Sequence, residues 1–145
     1  MKPKFQVQLK IQKPLAEVFD AVVRPEHLTR YFVQEASGPL VEGATVKWKF
    51  AEVPEPFDVI VRQVVPSQRI VFEWPIDDKS RSRVEMEFTA LDAGSTMVQI
   101  SESGWDESEK GFESAFGNAG GWMHMMCCMK AYLEYGINLR AGGAK

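Results

Sequence analysis

Apolar and polar residues alternate strictly at the start of the chain. Phe5, Val7, Leu9 and Ile11 face one way and Gln6, Gln8 and Lys10 the other, the period-2 pattern of a half-buried strand. Pro14 then stands where a first helical turn loses nothing by lacking an N–H. Val18, Phe19, Val22 and Val23 follow at helical spacing. Pro25 punctuates and opens a second short helix, with Leu28, Tyr31 and Phe32 as its apolar stripe. From residue 33 to 104 strands and turns alternate. Val46, Trp48 and Phe50 alternate with Lys47 and Lys49, and Phe57 to Val65 is rich in β-branched residues, with an inward phase that is lost after Val61. Ile70, Phe72 and Trp74 form the next inward row. Val84, Met86 and Phe88 follow, between Arg83, Glu85 and Glu87, and then Val98 and Ile100, in phase with Glu102. Ser37-Gly38-Pro39, Glu42-Gly43, Pro54-Glu55-Pro56, Pro66 to Arg69, Asp77 to Ser80 and Ala93-Gly94 mark the connections. Consecutive strands joined by short turns imply an antiparallel meander.

The end of the chain changes period. Residues 105–118 mix acids with Gly111 and Gly117 and read as a loop with room for one helical turn. A long helix is expected from about Asn118, a suitable N-cap, to Leu139. Its stripe is Ala119, Trp122, Met126, Met129, Leu133 and Ile137, at steps of three and four. Such a helix is about 33 Å long, enough to cross a small domain. Gly120 and Gly121 weaken its first turn. A sheet with one apolar face and a single long helix to cover it give an α+β domain: a curved antiparallel sheet of about seven strands wrapped around the C-terminal helix, with two short helices after the first strand.

Composition narrows the function. The chain has 145 residues, so one domain over 1–145 is the natural reading. Seventeen basic against twenty acidic side chains give a net charge of −3, and the basic residues are scattered, so nothing marks a nucleic-acid surface. The longest apolar run, Met125 to Met129, has five residues, where a bilayer span needs roughly 18. The segment from Met1 to Phe5 has no apolar h-region of a signal peptide. Adjacent Cys127 and Cys128 suit reduced thiols in the cytoplasm better than a disulfide framework.

The segment from Pro14 to Ala21, then Pro25-Glu26-His27-Leu28 and Tyr31-Phe32, resembles the opening of the SRPBCC superfamily. More narrowly it resembles the branch named after the activator of heat-shock protein 90 ATPase, among the START-like helix-grip folds. Gly38 to Gly43 with Val46-Lys47-Trp48, Pro66 to Trp74, and Gly121-Trp122 with Met126, Met129 and Tyr132-Leu133-Glu134 are similar to that branch's early strands, central hairpin and final helix. The similarity covers nearly the whole chain, through motifs that are mostly apolar and so specify fold more than function. It implies an apolar cavity between the sheet and the last helix. Relatives hold lipids or other hydrophobic small molecules, act as cyclases, or regulate a chaperone. The eukaryotic activator has a separate N-terminal domain that also engages the chaperone, whereas this chain opens directly on the helix-grip strand. The glycine-rich stretch before Trp122 is a second departure, since relatives are more usually helical there.

The expected function is therefore a binding module for a hydrophobic, lipid-like or aromatic molecule. The alternatives are a polyketide-cyclase or aromatase-like enzyme and a chaperone-regulating interaction protein. The cavity walls are expected from Trp48, Phe72, Trp74, Met86, Phe88, Val98 and Ile100 on the sheet, facing Trp122, Met126 and Met129 on the helix; a packed core is the competing reading of the same rows. Four of the seven methionines fall in Met123 to Met129, and methionine adapts to irregular apolar guests. Glu102 either points inward, to bind a polar head or move a proton, or is solvated because the strand ends at Ser101, and the pattern leans to the second. Trp105 either caps the mouth or packs against the loop. His124 and Cys128 lie at i, i+4, but a zinc site wants at least three protein ligands, and neither a metal nor a cofactor is expected. No nucleophilic triad, phosphate loop or metal-binding helix motif is present. His124, Met125, Cys128, Tyr132 and Tyr135 fall opposite the helix's stripe with almost no charge, which suggests a partner or homodimer surface.

Overall fold

A computed structural model describes residues 1–141 of the chain. The alternating opening forms β1 (Lys4–Ile11), with Ile11 fully buried at its end. α1 (Leu15–Val23) follows, with Pro14 in the capping position just outside it, and α2 (Pro25–Leu28) begins on its proline. The meander is β2 (Glu35–Ala36), β3 (Thr45–Lys49), β4 (Phe57–Val65), β5 (Arg69–Pro75), β6 (Arg81–Asp92) and β7 (Ser95–Ser103). All neighbours are antiparallel, in the order β1-β7-β6-β5-β4-β3-β2. The register of β4 against β5 slips between Val61 and Gln63. That bulge is why the inward phase of β4 could not be followed past Val61, and it bends the strand. A second slip, between Ala90 and Asp92, bends the far end of β6.

The sheet wraps one long helix, α3 (Glu109–Tyr135, 27 residues). It begins nine residues before the expected Asn118 and absorbs most of the segment read as a loop. Its N-cap is Ser108, whose Oγ accepts the Gly111 N–H at 3.0 Å. Gly111 is required there, because a Cβ would lie 2.0 Å from the Asp106 carbonyl oxygen. The helix also stops earlier than Leu139. Gly136 takes a left-handed φ of 67° and sends its N–H back to Tyr132 and Ala131, a glycine stop of the usual kind. Ile137, expected in the buried stripe, therefore lies past the helix and is half exposed.

The core fills the concave side of the sheet. Val84, Met86, Phe88, Val98 and Ile100 from β6 and β7 face Met125, Met126 and Met129 from α3. α1, α2 and the turn after them close over a second side of α3: the Tyr31 ring stacks on Tyr132 at 5.6 Å, and the Tyr132 hydroxyl shares a 2.7 Å hydrogen bond with His27 Nδ1. This second covering corrects the expected partner surface. Met125 and Cys128 are fully buried, His124 and Tyr132 are half-buried, and Tyr135 alone of the five is exposed. Gripped from two sides, the C-terminal half of α3 leaves Cys127 and Tyr135 exposed but not the five-residue face that the sequence suggested.

The last turns of α3 are tied to β1. Glu134 accepts the Gln12 N–H at 2.8 Å and the Lys130 ammonium at 2.6 Å, and Lys130 also donates to the Lys10 carbonyl. Burial raises the Glu134 carboxyl, but these donors outweigh it and hold it below its ordinary range. Burial, with smaller contributions from Tyr132 and Cys128, pushes the Tyr31 hydroxyl well above the usual tyrosine value, and burial raises the Cys128 thiol. Both therefore stay protonated and neutral at ordinary pH.

Candidate functional site

β7 continues past Ser101 to Ser103, so Glu102 stays in phase with Val98 and Ile100 and points inward. It is 1% exposed, which corrects the reading of a solvated strand end. Five hydrogen bonds from four side chains converge on its carboxylate. The Trp122 indole N–H reaches Oε1 at 2.8 Å, and the Trp74 indole N–H reaches Oε2 at 2.9 Å. The Ser82 hydroxyl donates to Oε2 at 2.5 Å, and the Asn118 amide spans both oxygens at 3.1 and 3.2 Å. All four donors are neutral, and no cationic side chain makes an ion pair with Glu102 among the described residues. A buried charge without a counter-ion survives only when its lone pairs are occupied, and this set of donors occupies them. Asn118, expected to cap the helix, instead holds Glu102 from its middle.

The tryptophans that donate to Glu102, Trp122 buried and Trp74 half-buried, border a cavity of about 450 Å³. Its walls are an aromatic cycle. Phe32 lies 5.0 Å from Phe50, Phe50 6.4 Å from Trp74, Trp74 5.3 Å from Trp122, and Trp122 5.6 Å from Phe32, between ring centroids. Gly117, Gly120 and Gly121 of α3, all exposed, also border it. These three, with His124, sit at i, i+3, i+4 and i+7, one face of the helix. A Cβ added to any of the glycines would meet nothing within 4 Å. Each therefore lowers helix stability by about 1 kcal/mol relative to alanine with no steric need for it. The mouth is polar: Arg140 pairs with Glu52 at 2.6 Å, and His124 and Asn118 complete the rim.

Of the expected cavity residues, only Trp74 and Trp122 line this space. Trp48, Phe72, Met86, Phe88, Val98, Ile100, Met126 and Met129 are in the packed core, each at most 4% exposed. The sheet's inner rows and the methionines close on one another over the C-terminal half of α3, and the space opens beside them, along the exposed glycine flank of the helix. Glu102 lies behind the cavity's tryptophans, not on its surface. Trp105 is buried and stacks on Phe5 at 5.9 Å, so it packs rather than caps. The pattern passed over Phe32, Phe50, Glu52, Gly117, Gly120, Gly121 and Arg140. A signal existed for the glycines, since three in a helical stretch are unfavourable unless something else selects them. None existed for Glu52 and Arg140, which are distant in sequence and lie outside every helix and strand. Among the described residues no three His, Cys, Asp or Glu side chains gather as a metal site would need.

A seven-stranded antiparallel sheet gripping a C-terminal helix, with a cavity between them, is the helix-grip architecture of the START-like, SRPBCC class. Residues 12–134 match the family described as activator of Hsp90 ATPase homolog 1-like protein, and the chain belongs to that family. Solved structures share the fold. The protein SSP2350 from Staphylococcus saprophyticus is 25% identical, with a TM-score of 0.81 over 95% of this chain and 96% of that one. DynU16, a protein in the dynemicin biosynthetic locus, is 26% identical with a TM-score of 0.79, over 92% of this chain and 48% of the longer one. The Aha1 dimer from Colwellia psychrerythraea is 18% identical with a TM-score of 0.77, over 92% of this chain and 98% of that one. No curated protein of significantly similar sequence is found.

Proposed function

We propose that residues 1–145 act as one binding domain that holds a hydrophobic small molecule, without covalent chemistry, in the cavity between the sheet and α3. The observation that carries this reading is the cavity itself. Its volume of about 450 Å³ lies within the range of roughly 300–1,000 Å³ typical of small-molecule sites, and its walls are apolar with a few polar groups at the rim. Phe50 and Trp74 are only half-buried, and a bound apolar molecule that covered their exposed surface would gain about 25 cal/mol per Å².

A cyclase-like enzyme would draw on Glu102, the one buried carboxylate beside the cavity. Its oxygens already accept from four groups, and Trp74 and Trp122 stand between it and the space. That arrangement suits a structural acceptor better than a proton carrier, so binding is the better-supported reading. No helix among the described residues is long and apolar enough to cross a membrane; the free thiols of Cys127 and Cys128 support the reading that the domain carries its ligand in the cytoplasm.

Native mass spectrometry of the freshly purified protein, with organic extraction of the same sample, tests the proposal. A co-purified apolar compound that is lost in Trp122→Ala is the expected result. An unliganded mass, together with no uptake of any apolar probe, would overturn it. The same spectrum reads the oligomeric state, which bears on whether this chain pairs as the Colwellia relative does.

A further inference from the structure

If the cavity is a ligand site, its walls also state the shape of the ligand. We infer that it selects a planar, multi-ring aromatic molecule over a flexible acyl chain; this rests on the binding reading above and narrows it. The first ground is what the lining contains and lacks. Its apolar side chains are Phe32, Phe50, Trp74 and Trp122, and no leucine, isoleucine, valine or methionine reaches it. Acyl chains bend and fill irregular aliphatic spaces, for which methionine is the adaptable partner. Here Met125, Met126 and Met129 are fully buried elsewhere. Rings instead present faces and edges, which favour other rings in offset or edge-on contact.

The second ground is the Glu102 carboxylate. It consumes the indole N–H of both cavity tryptophans, at 2.9 and 2.8 Å. Neither indole can donate to a ligand, and neither ring can turn without breaking a buried hydrogen bond. Trp74 and Trp122 are therefore fixed surfaces, with ring planes only 30° apart. A rigid wall matches a rigid guest without ordering either partner, which removes part of the entropy cost of binding.

The third ground is the glycine flank of α3. At Gly117, Gly120 and Gly121 the positions a Cβ would occupy are open. Bare helical backbone is the flattest surface a helix offers, and at these exposed positions no side chain obstructs a planar guest lying on the neighbouring rings. Glu102 thus acts as a positioning residue through the two indoles, and the glycines set the clearance.

Titrating the full chain with 1-hydroxypyrene, followed by its fluorescence anisotropy, against cis-parinaric acid, followed by its own emission, tests the inference. Hydroxypyrene is expected to bind at least about tenfold more tightly. Gly120→Leu is expected to weaken hydroxypyrene by a similar factor without lowering the melting temperature, since leucine is a better helix former than glycine. Parinaric acid binding as tightly as hydroxypyrene, or Gly120→Leu leaving hydroxypyrene unchanged, would overturn the planar selection while the cavity reading stands. If neither probe binds, the cavity reading fails and this one with it.

Discussion

One helix meets one sheet in two different ways. Over the C-terminal half of α3, Met125, Met126, Cys128 and Met129 interlock with β6, β7, α1 and the turn after α2, and nothing is left open. Over the N-terminal half, the exposed Gly117, Gly120 and Gly121 and the rings of Phe32, Phe50, Trp74 and Trp122 border one cavity of about 450 Å³. The difference shows how a helix-grip domain makes room. The buried stripe stays filled along its length; side-chain volume is withheld from the exposed glycine flank beside it for two turns. The polar groups divide the same way. The packed half is tied to the sheet through Lys130 and the Lys10 carbonyl, while the open half is backed by a carboxylate that locks its two largest side chains.

The sharpest way to break this comparison is to open the closed half. Met129→Ala should cost about 2–5 kcal/mol in urea unfolding, because a fully buried methionine leaves a void that neighbours only partly fill. A loss below 1 kcal/mol, on the same scale, would mean that this half is not tightly packed. Next in size is Glu102→Gln. An amide turns one acceptor oxygen into an NH2 that faces indole or amide donors, so at least one buried donor is left unpaired. The expected cost is about 1–3 kcal/mol. Faster hydrogen exchange at the Trp74 or Trp122 indole should accompany it, and unchanged exchange at both would show that Glu102 does not hold them. The smallest effect carries the opposite sign. Gly120→Ala should raise stability by about 0.5–1 kcal/mol in thermal unfolding, because the cavity gives the new methyl group nothing to strike. A destabilised variant would mean that the backbone there is constrained in some other way.

The strands, their order of appearance and the short helices were legible, because period-2 rows such as Val84, Met86 and Phe88 are written by burial on one face. The first ten residues of α3 were not, and the reason is physical. Facing the sheet there are Gly111 and Ala115, which are buried but nearly invisible to a hydrophobic pattern, while Phe116 is 70% exposed on the outside. The apolar signal is inverted over that stretch. Glu102 was in phase with its row, yet a charged residue at the end of an apolar strand is ordinarily the first solvated one. Only the four donors, two of them from α3 and two from β5 and β6, show why it is inside. The cavity was anticipated in kind but not in place, because the rows that looked like walls were the ones that pack.

The aromatic cluster has a spectroscopic consequence. Trp48 lies 6.1 Å from Trp74, and Trp74 lies 5.3 Å from Trp122, so three of the four tryptophans form one chain of touching chromophores. Excitation absorbed by any of them passes among all three before it is emitted. Trp48 touches no ligand, yet its emission would be lost to whatever quenches Trp74 or Trp122. The protein thus carries its own antenna, and occupancy of the cavity would be read by ultraviolet light without a label.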